Sequence, residues 1–172
     1  MRVTHDASGC EIELADENET RALGQALASI SRPGLVFGLD GPLGAGKTRL
    51  TRAWAEALGV SPDAISSPTF ILIHEYQGTI PVYHFDAYRL NSSDEFEAIG
   101  GPEYFSNGGG ICLIEWADRV EEALPRDAIR IRIEPTGETR RRLRIEEAES
   151  EKTFIAALAA RLADFDDSPS AN

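Results

Sequence analysis

Lysine is nearly missing from this chain. Of its seventeen basic residues all but Lys47 and Lys152 are arginine, so a lysine kept against that bias marks a specific need. Positive charge as a whole is also scarce: seventeen Lys plus Arg face twenty-nine Asp plus Glu, a net charge of −12. That balance excludes a protein that grips nucleic acid by its overall charge, and leaves only local or borrowed RNA contacts. Cys10 and Cys112 lie far apart without metal-ligand spacing, which implies buried thiols in a reducing compartment and a cytoplasmic location. Long apolar runs are absent as well. The longest, Phe154 to Ala160, is far too short to span a bilayer, and Met1 to Leu14 lacks the apolar centre of an export signal, so membrane insertion is excluded. With no internal repeat or linker, the expected organisation is one domain over residues 1–163 and an acidic, small-residue tail over residues 164–172.

What remains alternates helix and strand signals, the pattern of an α/β sheet. Asp16 followed by Glu19 marks a helix start, and Leu23, Leu27 and Ile30 repeat on one face before Pro33. Leu35 to Leu39 reads as a buried strand, and a helix is predicted from Lys47 to Leu58 with Gly59 as its left-handed stop. Phe70 to Tyr76 and Ile80 to Asp86 read as a hairpin, and Asp94 to Ile99 as a short helix. The continuous apolar run Ile111 to Ile114, ending in Glu115, predicts a central strand. A helix over Ala117 to Leu124 follows. Ile129, Ile131 and Ile133 then alternate with arginines in a half-exposed strand that returns through Leu143 and Ile145, and Ser150 opens a final helix.

Residues 41–48, GPLGAGKT, satisfy the phosphate-loop pattern of Gly, four residues, Gly, Lys, then Ser or Thr. Gly41, Gly44 and Gly46 let the backbone turn so that its N–H groups converge on phosphate oxygens, with Ala45 between them. The following helix aims its positive end at the same anion. Lys47 would bridge the outer phosphates, and the Thr48 hydroxyl would ligate Mg²⁺. The Asn-Lys-x-Asp element by which many GTPases read guanine is absent, which favours ATP.

A Mg²⁺ nucleotide calls for a carboxylate at the end of a neighbouring strand. Glu115 and Asp86 both qualify, each ending an apolar run, and Thr69 after Pro68 is a candidate loop hydroxyl sensing the γ-phosphate. Arg140, Arg141, Arg142 and Arg144 form the one basic cluster; alternation with Leu143 and Ile145 explains at least half of it as a solvated strand face, the alternative being contact with RNA, nucleotide or a partner.

GPLGAGKT, SSPTF, YHFDAYRL and ICLIEWADR, in this order across nearly the whole chain, resemble the bacterial TsaE (YjeE) family. The resemblance implies a P-loop NTPase-like three-layer α/β fold, with a mostly parallel central sheet and an added β-hairpin. It also implies an ATPase that uses ATP and Mg²⁺ to support formation of N6-threonylcarbamoyladenosine at adenosine 37 of tRNA. TsaD-like and TsaB-like partners are implied, with tRNA reached through their complex. Carried over residue by residue, Thr48 and Glu115 would hold Mg²⁺, and Gly41, Gly44, Ala45, Gly46 and Lys47 the phosphates. Asp86 and Thr69, with Lys47, would serve hydrolysis; Trp116 would lie beside the site and Thr20 near the base or ribose. One departure is Pro42, where the family usually has an acid, with Asp40 as a speculative stand-in. A small-molecule kinase or a nucleotide-dependent binding module without turnover would share the loop.

Overall fold

The computed structural model describes residues 1–6, 9–65, 72–106, 109–147 and 153–166. Its centre is β3 (Val36–Asp40), buried along all five residues. β6 (Ile111–Glu115) and β7 (Ile129–Pro135) flank β3, both parallel to it, and β5 (Val82–Asp86) pairs parallel with β6. Outside this core the pairing is antiparallel. β8 (Arg141–Glu146) lies on β7, β2 (Gly9–Leu14) on β8, β1 (Arg2–Asp6) on β2, and β4 (Ile73–Tyr76) on β5.

The eight-stranded order is β1-β2-β8-β7-β3-β6-β5-β4. Three neighbour pairs are parallel and four antiparallel, so the sheet is mixed rather than mostly parallel. The reason is local. β7 and β8, like β4 and β5, are joined by short turns, which only antiparallel strands permit. The expected hairpin is β4 with β5. β1 and β2 were not anticipated, although Cys10, Ile12 and Leu14 are buried and alternate with the less buried Glu11 and Glu13.

Helices cover both faces. α1 (Glu17–Ile30), α2 (Lys47–Ala57) and α5 (Thr153–Asp166) pack with Phe37, Leu39, Ile111 and Leu113 in one buried cluster. α3 (Ser93–Ala98), α4 (Glu103–Ser106) and two 3-10 segments, Ala87–Arg89 and Ala117–Ala123, close the other face over Val36, Phe85, Cys112 and Ile114. Alternation along each strand thus assigns every strand residue to one of two layers.

The Asp16 side chain caps α1 by accepting from the Glu19 N–H at 3.0 Å, and Glu19 reaches back to the Ala15 N–H at 2.6 Å. α2 starts at Lys47 as anticipated, and Gly59 follows it with φ +86°. The segment after β6 departs from expectation. It is a 3-10 turn with a break at Val120 (φ −128°, ψ 25°) instead of an α-helix, confined between left-handed Trp116 and Pro125. α5 continues to Asp166, three residues into the expected tail. Among the described residues no helix is long and apolar enough to cross a membrane.

α1 and α2 touch where Gly24 faces Ala53. A Cβ on Gly24 would come within 2.8 Å of the Ala53 carbonyl carbon and Cβ. Gly24→Ala, which in an open helix would gain about 0.5–1 kcal/mol, is therefore expected to destabilise the protein by about 1–3 kcal/mol through overpacking. A urea unfolding midpoint below wild type checks this, and an unchanged or higher midpoint would show that the helices can separate freely.

Candidate functional site

β3 delivers the chain into the glycine loop at the carboxyl ends of the parallel strands, where open α/β sheets bind ligands. Gly41 (φ +144°) has no room for a side chain, since a Cβ there would meet the Ile133 carbonyl oxygen at 2.2 Å. β7 therefore demands this glycine as much as the turn does. Gly44 (φ +78°) and Gly46 (φ +108°) take backbone conformations that side chains resist, and Gly46 caps α2. Ala45 is fully buried, and its N–H donates to the Pro42 carbonyl at 3.1 Å. That amide closes the loop on itself. Pro42 fits because its carbonyl is what the loop uses.

Lys47 opens α2 with its side chain folded over the loop. Its Nζ donates to the Gly41 carbonyl at 2.6 Å and the Pro42 carbonyl at 3.1 Å, and lies 3.6 Å from the centre of the Trp116 ring. Burial pulls this ammonium below the usual lysine range, while the carboxylates of Glu115, Asp86, Asp118 and Asp40 act the other way. Thr48, next along, donates from its hydroxyl to Glu115 Oε2 at 2.8 Å. Glu115 is 2% exposed, and its other oxygen, Oε1, meets His84 Nε2 at 2.8 Å.

Strand alternation explains who meets whom. Glu115 shares the α2 face of the sheet with Leu113 and Ile111, and His84 and Asp86 share it with Val82. Asp86 lies opposite Glu115 in the β5–β6 register. Its Oδ1 accepts from the Tyr88 N–H at 3.0 Å, which holds the carboxylate at the strand end. Asp40 falls on the opposite face. One of its oxygens accepts from the Asp118 N–H at 2.8 Å and the other pairs with Arg130 at 2.6 Å. It does not stand in for the acid that Pro42 replaces.

These groups line a cleft of about 750 Å³ that runs from Leu14, Glu17 and Thr20 past the loop to Asp86, Tyr88, Glu115 and Trp116. Thr20 lies on the cleft wall, with its hydroxyl donating to the Asp16 carbonyl at 3.1 Å. Trp116 is the one non-glycine with positive φ among the described residues (φ 60°), a conformation costing about 1–2 kcal/mol. Its N–H donates to the Leu39 carbonyl at 2.9 Å, and its ring also packs on Tyr88 at 5.0 Å. Thr69 lies outside the described residues.

Sequence reasoning missed two participants. His84 showed no metal-like grouping, and only the pairing of β5 with β6 brings it to Glu115. Arg141 was one of four clustered arginines. Its Nε donates to the Ala45 carbonyl at 2.8 Å, and its NH1 to the carbonyls of Gly137, Glu138 and Arg140, so it braces the glycine loop against the β7–β8 turn. The rest of the cluster disperses across the sheet. Arg142 pairs with Glu13 at 3.1 Å and Glu11 at 3.6 Å, and Arg144 with Asp6 at 2.6 Å and Glu146 at 3.5 Å.

Known proteins resemble this chain in sequence and in fold. The tRNA threonylcarbamoyladenosine biosynthesis protein TsaE of Bacillus subtilis is 44% identical over 126 residues, covering 73% of this chain and 77% of the relative. Its namesake from Haemophilus influenzae is 34% identical over 153 residues, covering 85% and 95%. The crystal structure of Bacillus subtilis YdiB superposes with a TM-score of 0.74 at 33% identity, covering 91% of this chain and 98% of that one. A family model described as threonylcarbamoyl adenosine biosynthesis protein TsaE matches residues 14–143, which begin and end on the outermost cleft-lining residues, Leu14 and Leu143, and the chain belongs to that family.

Proposed function

We propose that this chain is a Mg²⁺-dependent P-loop ATPase that supports threonylcarbamoyl transfer to adenosine 37 of tRNA by a TsaD-like and TsaB-like partner complex. The observation that carries the reading is the 2.8 Å bond from the Thr48 hydroxyl to Glu115, which joins the helix start to a buried strand-end carboxylate directly behind the glycine loop. The names of the relatives support the pathway.

A hydroxyl and a carboxylate are hard oxygen donors, and one or two such side chains suit Mg²⁺ that keeps waters and phosphate oxygens as its remaining ligands. Bound Mg²⁺ would neutralise charge on the outer phosphates. The chain's own residues do the rest. The loop backbone and the start of α2 supply N–H groups and a positive dipole end, and Lys47 supplies the mobile positive charge. Trp116 and Arg141 hold Lys47 and the loop in place from either side. Asp86, fixed by the Tyr88 N–H, presents a carboxylate that can orient a water for in-line attack. Thr69 is assigned to the γ-phosphate. Thr20, on the wall beyond the loop, fits the base or ribose end.

The protein's charge accounts for its need of partners. With a net charge of −12 and Arg142 and Arg144 paired to acids, it offers little for tRNA phosphates to displace counterions against.

Lys47→Ala is expected to lose about 2–3 kcal/mol of ATP affinity, the worth of charged hydrogen bonds to phosphate. Calorimetry on the folded variant measures it, and near-wild-type affinity would sink the loop assignment. Asp86→Ala should slow hydrolysis by on the order of 10²-fold or more while binding ATP nearly normally. Unchanged phosphate release would leave that carboxylate structural. The isolated protein should bind free tRNA poorly at physiological salt, and its ATP turnover should rise with the partner pair present. Tight tRNA binding by the chain alone, or repeated modification cycles with Lys47→Ala, would end the partner-dependent reading.

A further inference from the structure

His84 is fully buried, at 0% exposure. On the same sheet face Val82 and Asp86 flank it on β5, His74 lies opposite it on β4, and the Tyr76 ring is 6.2 Å away. Its one hydrogen bond among the described residues runs from Nε2 to Glu115 Oε1 at 2.8 Å, and its buried Nδ1 has no partner. That asymmetry fixes the tautomer. A proton on Nδ1 would be a buried donor without an acceptor and would leave a lone pair facing a carboxylate, whereas a proton on Nε2 satisfies Oε1 directly.

The carboxylate of Glu115 is thereby held at both ends. Without His84 one of the two bonds that set the plane of the carboxylate about its terminal bond is lost. With Oε1 taken by the imidazole, Oε2 is the oxygen at the Thr48 hydroxyl. We propose that His84 is the positioning residue that sets the Glu115 carboxylate for the metal, an inference that rests on the cleft being a Mg²⁺ nucleotide site. Outer partners of this kind hold a ligand's orientation without touching the ion.

The test measures ATP binding by calorimetry with chelator and across a Mg²⁺ titration, in wild type, His84→Phe and His84→Gln, each checked for folding by circular dichroism. Phenylalanine keeps a ring in the space but removes the donor, and glutamine restores an N–H at similar reach. The loss of one outer partner should raise the Mg²⁺ needed for half-maximal tightening by about ten-fold in His84→Phe, leave ATP binding in chelator within about two-fold, and recover to within about three-fold of wild type in His84→Gln. A wild-type Mg²⁺ requirement in His84→Phe overturns the proposal while leaving the ATP site intact. Equal losses with and without Mg²⁺ in both variants overturn it in favour of a packing role. A wild type that binds ATP tightly without responding to Mg²⁺ overturns both this inference and the metal site beneath it.

Discussion

Glu115 is a carboxylate taken out of water at the end of an apolar strand, and much of the cleft is arranged around making that possible. Ionised groups lose several kcal/mol of hydration on burial unless charge and donors replace it. Here the replacement is made by the Thr48 hydroxyl on one oxygen, the His84 imidazole on the other, and the nearby Lys47 ammonium, whose charge the carboxylate favours. Thr48 and Lys47 come from the start of α2, and His84 from β5. The helix after the glycine loop and the strand beside β6 are both committed to positions that serve one side chain, and moving either would leave a buried charge without a donor.

The period-two geometry of strands then sorts the acids. Glu115 and Asp86 end neighbouring parallel strands in register and face α2, so they converge on the helix start. Asp40 ends the strand between them and the β7 edge, and its parity sends it to the opposite layer, where Arg130 and the Asp118 N–H use both of its oxygens. Three carboxylates at three strand ends therefore carry two different kinds of work. The close approach of β7 adds a second constraint, because the Ile133 carbonyl excludes any side chain at Gly41. The glycine motif at this position is a packing requirement of the sheet as well as a feature of the loop.

Much of this was legible beforehand, and the failures have physical causes. The β3–loop–α2 unit, the hairpin of β4 and β5 and the strand ending in Glu115 follow from local signals that the structure obeys: a long apolar run, glycines at turns and a helix stop at Gly59. β2 carries an alternation, but its charged residues at every second position and the lack of a strong flanking turn kept it from standing out, while β1 is exposed at four of its five residues and shows none. The antiparallel pairs β4–β5 and β7–β8 follow from their short turns, but the pairing of β2 with β8 was beyond local reading because the two strands are distant in sequence. His84 and Arg141 stayed hidden for the same reason. Their partners, Glu115 and the carbonyl of Ala45, lie 31 and 96 residues away. Local pattern reports which residues are unusual and not which distant residue they meet.

The arginines show how far pairing changes the meaning of composition. In sequence the four between positions 140 and 144 read as a patch of positive charge. In the fold, β8 lies between β7 and β2, and acids of the strands beyond draw them apart: Glu11 and Glu13 take Arg142, Asp6 takes Arg144, and the glycine-loop carbonyls take Arg141. Exposed pairs of this sort contribute little stability, about 0–1 kcal/mol each, yet they cancel field where a nucleic acid would need it. Arg141 differs from the others because backbone dipoles, not a carboxylate, receive it. It lies on the cleft wall beside the loop, where Lys47 also lies, within a molecule of net charge −12. Arg141, Lys47 and the start of α2 thus meet on one stretch of the cleft, the place where the proposed phosphate cradle would need positive charge.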